Sequence, residues 1–121
     1  MGINDIDKML KGNVSTVHTA ITGTATSAKI DCRGKNAILI QALISVAAQN
    51  WTFKLQGSFT ENGTYTDLYE LANTGSMAAM SYQTNASKMF LFKGIPDWVK
   101  VVATEDVDGA TVTVNVQPLN V

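Results

Sequence analysis

The chain has 121 residues, of which 45% are hydrophobic and 16% charged, with a formal net charge of −1. That length provides one domain with a core of its own, and the charged share lies well below the usual value of about 25%. Nucleic acid is not an expected partner, because Lys8 and Lys11 are offset by Asp5 and Asp7 and no basic cluster remains; the apolar run "AILIQALISVAA" is too short to cross a membrane; and one cysteine allows no internal disulfide.

At the start, Ile3, Ile6 and Leu10 fall on one helical face with Met9 beside them, which predicts a short helix over Ile3–Leu10. Asn4 or Asp5 caps its start and Gly12 ends it. Such a helix needs something to pack on. It either folds back over the domain's own sheet or docks as an arm on a neighbouring subunit. Residues 1–12 are therefore read as an arm and residues 13–121 as a single β-domain. "MGINDIDKMLKGN" has no basic start followed by an apolar stretch, so no export signal is expected.

From Val14 the pattern is β. "STVHTAITG" alternates around Val17 and Ile21, and "SAKIDC" through Ala28, Ile30 and Cys32, before the polar turn Arg33–Asn36. "AILIQALISV" is apolar on both faces, so this strand is central or covered on its outer side. "WTFKLQGSF" places Trp51, Phe53, Leu55 and Phe59 on one face and Thr52, Lys54 and Gln56 on the other, as a half-buried strand requires. Asn62-Gly63 marks a hairpin turn, and "YTDLYEL" is the return strand. A long loop follows, with a short strand around Met77–Tyr82. "KMFLFKG", "WVKVVATE" and "ATVTVNVQPLNV" are further strands, with turns at "IPDW" and "EDVDGA". The sum is an all-β fold, a β-sandwich or jelly roll of about eight antiparallel strands with a short N-terminal helical arm.

Chemistry-bearing residues are sparse. His18 and Cys32 are the single His and Cys, too few for nitrogen or sulfur metal ligation. Cys32 reads as a buried strand position. Asp67 and Glu70 stand three apart and point to opposite faces of one strand, which weakens them as a glycosidase pair. The stretch Glu105–Gly109 resembles the opening of a calcium loop but lacks the downstream acidic ligand. No catalytic set, cofactor or metal is expected. Trp51, Tyr65, Tyr69, Tyr82 and Trp98 are the aromatics considered for a sugar-stacking platform. Trp51 alternates with core residues, which leaves Trp98 as the best exposed aromatic, an anchor for a partner or for a surface glycan.

Four segments, Gln56-Gly57-Ser58, Tyr65–Leu68, Gly94-Ile95-Pro96 and Thr111–Val116, resemble small structural proteins of tailed bacteriophages and prophages, over roughly the last two thirds of the chain. Within that group the chain is most similar to capsid decoration (cement) proteins. The resemblance implies a non-enzymatic virion protein, made in the host cytoplasm and bound to the capsid surface. Its partner would be the major capsid protein, and it would be a homo-oligomer, dimer or trimer. Ile3, Ile6, Met9, Leu10 and Trp98 are the candidate partner-interface residues. The alternatives are a head-fibre or tail-associated module of the same virion, or a carbohydrate-binding sandwich.

Overall fold

The computed structural model describes residues 12–45, 50–71, 75–105 and 110–121. These residues form twelve strands: β1 (Ser15–Ile21), β2 (Ala25–Thr26), β3 (Ile30–Asp31), β4 (Ala37–Ile44), β5 (Trp51–Ser58), β6 (Thr66–Asp67), β7 (Tyr69–Leu71), β8 (Met77–Ala79), β9 (Ser81–Thr84), β10 (Lys88–Lys93), β11 (Trp98–Glu105) and β12 (Val112–Leu119). One sheet runs β1-β12-β4-β10. A second runs β2-β11-β5-β6, with β3 also on β11 and β9 also on β5. β7 and β8 form a separate two-stranded ribbon. All pairs are antiparallel.

The two larger sheets face each other across one core. Ile38, Ile40 and Ala42 of β4 and Val112, Val114 and Val116 of β12 meet Trp51, Phe53 and Leu55 of β5 and Val99, Val101 and Ala103 of β11. These residues occupy every second position of their strands, so the period-2 alternation of the sequence becomes the inner layer directly. Phe53 and Phe90 approach across the layers with ring centroids 5.9 Å apart. His18, buried on β1, reaches the carbonyl of Val101 on β11 at 3.0 Å through Nε2.

The all-β expectation stands, but the expected element list is corrected. The described residues hold no helix, and twelve strands in three sheets replace about eight strands with a helical arm. The helix expected over Ile3–Leu10 lies outside the described residues, as does most of the turn expected at "EDVDGA". The return strand "YTDLYEL" is split: β6 pairs with β5, while β7 leaves for the ribbon and pairs with β8. The break falls at Leu68, whose N–H still donates to Leu55 O while its carbonyl accepts from Met80 N. Each half of the segment thus has its own backbone partner.

Local geometry explains two further details. Ala20 has a φ of 44° in an irregular stretch of β1, and its N–H donates to Thr113 Oγ1 rather than to the ladder; this is a bulge in which a non-glycine residue takes the left-handed conformation. Pro118 interrupts β12 beyond the last residue paired with β1, and its carbonyl accepts from Gly12 N. N–H and C=O of a strand residue point the same way, so the N–H that Pro118 lacks faces this margin and the β4 ladder is spared.

Candidate binding surfaces

With the core filled by one face of each sheet, the two outward faces are the available binding surfaces. The outer positions of the first sheet are Leu39, Gln41 and Leu43 on β4, Met89, Leu91 and, at the strand end, Lys93 on β10, and Thr113, Asn115 and Gln117 on β12. Met89 is 58% exposed, and Leu43 and Leu91 are also exposed. The polar members bind one another: Thr16 Oγ1 donates to Asn115 Oδ1 at 2.6 Å, and Asn115 Nδ2 donates to Gln41 Oε1 at 3.2 Å. Lys93, at the end of β10, is the one ionisable side chain among these outer positions. β4 is thus central in its sheet, and its second apolar face is left partly open to solvent.

The outer face of the second sheet is charged. Lys54 pairs with Asp67 at 3.1 Å, and Gln56 Nε2 donates to the same carboxylate at 3.0 Å. The Gln56 amide and then the Lys54 ammonium hold the Asp67 carboxyl below its ordinary value. Lys100 sits 4.3 Å from the centre of the Tyr65 ring. Arg33 pairs with Asp31 at 2.8 Å and lies 5.0 Å from the centre of the Trp98 ring. The Asp31 carboxyl is likewise lowered, first by the side-chain hydrogen bond from Arg33.

Trp98 is where its strand placement puts it, on the outer side of β11, yet it is 8% exposed. The Asp31–Arg33 segment covers it, because β3 pairs with β11 at Trp98↔Asp31. The most exposed aromatic among the described residues is Phe59, at 89%, ahead of Tyr69 at 54%. The sequence placed Phe59 on the inner face with Trp51, Phe53 and Leu55; β5 ends at Ser58, so the alternation stops one residue short of it. Ile3, Ile6, Met9 and Leu10 lie outside the described residues. The ribbon adds a further apolar surface. Tyr69, Leu71, Met77 and Ala79 share one face by register, with Leu71 71% and Met77 61% exposed. Sequence reasoning missed the ribbon, since "ANTGSMAAMSYQTNASK" carries no clear alternation.

The candidate catalytic residues do not converge. His18 is engaged with Val101, and Cys32 is buried, its thiol pushed up to about 12 by desolvation. Asp67 belongs to the charged face, while Glu70 is on the ribbon. Among the described residues no group of three or more His, Cys, Asp or Glu stands together as metal ligands.

No family model matches the chain, and no curated protein matches its sequence. Solved structures do match its fold. SPBc2 prophage-derived protein YomS superposes with a TM-score of 0.61 at 21% identity, over 90% of this chain and 92% of YomS. The fold occurs in prophage-derived proteins. PBSX exported protein XepA superposes with a TM-score of 0.64 at 14% identity, over 89% of this chain, which spans 38% of XepA.

Proposed function

We propose that this chain is a non-enzymatic structural protein of a phage or prophage particle, and that it decorates the capsid exterior as a homo-oligomer. The observation that carries the reading is the end-to-end fold match to YomS, a prophage-derived protein of nearly the same extent. The sparsely charged outer face of the β1-β12-β4-β10 sheet supports it. A face with Leu43, Met89 and Leu91 open and its single ionisable outer side chain, Lys93, at the end of β10 loses little on desolvation over the rest of its area when another subunit covers it. The mechanism is mechanical: apolar area buried across junctions of the major capsid protein makes separation of the shell costlier.

The test is co-sedimentation of the purified chain with separated heads and tails of the phage that encodes it. Saturable binding to heads supports decoration. Binding to tails alone moves the chain to a tail-associated role, and binding to neither overturns the virion reading.

A further inference from the structure

Three segments that stand apart in sequence meet at one end of the sandwich. Gly57 and Ser58 close β5, Thr66 and Leu68 lie on the returning chain, and Gly94-Ile95-Pro96 forms the turn before β11; together they line a cleft of about 580 Å³. That volume lies within the roughly 300–1,000 Å³ of small-molecule sites. Its base is apolar, built from Leu68, Ile95 and Pro96, and the exposed ring of Phe59 stands on its wall. The polar side chains that line it all carry hydroxyls. Those of Thr64 and Thr66 make no hydrogen bond among the described residues. No ionisable side chain lines it.

The cleft is built by the backbone. A Cβ on Gly57 would come within 2.6 Å of Pro96 Cγ and 2.8 Å of Leu68 Cδ2, so only glycine lets the strand end and the turn close on each other there. Gly94 takes a φ of 69° to turn the chain into Ile95-Pro96. The opposite wall is pinned. Ser58 Oγ accepts from Thr60 N and donates to Thr60 O, Tyr65 Oη donates to Glu61 O at 2.7 Å, and Lys29 holds both Glu61 (3.0 Å) and Asn62 Oδ1 (2.9 Å). A wall fixed in this way gives up little conformational freedom when a ligand arrives.

We infer that this cleft is a binding site for a neutral saccharide, with one ring face stacked on Phe59 and its hydroxyls bonded to Thr64 and Thr66. A sugar ring carries an apolar C–H face and a fringe of hydroxyls, which matches an aromatic wall, an aliphatic base and uncommitted threonine hydroxyls. The uncharged lining disfavours phosphorylated or acidic ligands, which would lose hydration without gaining a counter-charge. The site is distinct from the flat sheet face and needs no partner subunit.

The test is ligand-observed saturation-transfer NMR on the full chain, with glucose, galactose, mannose, N-acetylglucosamine and their short neutral oligomers. Expected is transfer to at least one of these, weakened by roughly tenfold or more in Phe59→Ala and also weakened in Thr64→Val/Thr66→Val. These three side chains are exposed, so thermal melts of the variants should match the parent and separate lost binding from lost folding. Absence of transfer from every saccharide up to about 10 mM, the weak end of specific recognition, overturns the inference. So does undiminished transfer in Phe59→Ala.

Discussion

The two outer faces of this sandwich enclose the same core and have opposite chemistry. On the β5–β11 side, Lys54, Asp67, Lys100, Arg33 and Asp31 form pairs and cation–π contacts that suit water. On the β4–β12 side, leucines and methionine alternate with neutral amides and hydroxyls that bind one another. Exposed ion pairs add little to stability, from about 0 to 1 kcal/mol each, but they make a face unwilling to lose its water. The neutral face, with Lys93 alone at the end of β10, has no such hold on solvent across its middle. The difference separates a surface that remains wet from one suited to being covered, although every strand behind them alternates in the same way.

The strongest perturbation removes the support common to both faces. Phe53 is fully buried and touches Phe90 across the layers; Phe53→Ala should cost about 3–5 kcal/mol in denaturant melts, and particle binding should fail together with the fold. Ser27→Ala should cost about 1–3 kcal/mol, because Ser27 Oγ is the acceptor for the buried Val101 N–H at 2.9 Å; particle binding at low temperature should persist. Leu91→Glu tests the contrast itself. Its side chain is exposed on the neutral face, so stability should change by no more than about 0.5 kcal/mol while co-sedimentation with heads is lost; the matching change on the charged face, Lys54→Glu, should leave co-sedimentation intact. Equal losses from both would erase the distinction.

The smallest effect is a pH dependence confined to the charged face. Asp31 and Asp67 are held below the ordinary carboxyl value. A carboxyl with a depressed folded-state value contributes stability above its unfolded value and loses it as pH falls through the folded one. Thermal melts should therefore show a decline setting in below about pH 4. Asp67→Asn should flatten part of it, whereas Gln41→Ala on the neutral face should leave the acid profile unchanged.

The strands that proved readable in the sequence are those buried on one face throughout. Trp51–Leu55, Val99–Ala103 and Val112–Val116 alternate because each second residue enters the core; the twofold apolarity of "AILIQALISV" left a central strand and a covered one as alternatives, and β4 lies between β12 and β10. Legibility failed where neighbours, not periodicity, decide. Phe59 continues the β5 alternation on paper, but the strand ends at Ser58. Trp98 seemed open because its own strand turns it outward, and only the pairing with Asp31, 67 positions earlier, brings Arg33 over it. The split of "YTDLYEL" between two sheets is invisible locally, since Leu68 takes partners from Leu55 and Met80. The cleft beside Phe59 was hidden for the same reason: its three segments converge only in space.

Cys32 gives the molecule a clock. It is the single thiol of the chain, fully buried and raised to about 12, so a thiolate reagent at neutral pH meets almost no reactive sulfur in the closed sandwich. Each labelling event then counts an excursion in which the region around β3 separates from β11. The unaltered chain thereby reports its own opening frequency without any probe being introduced.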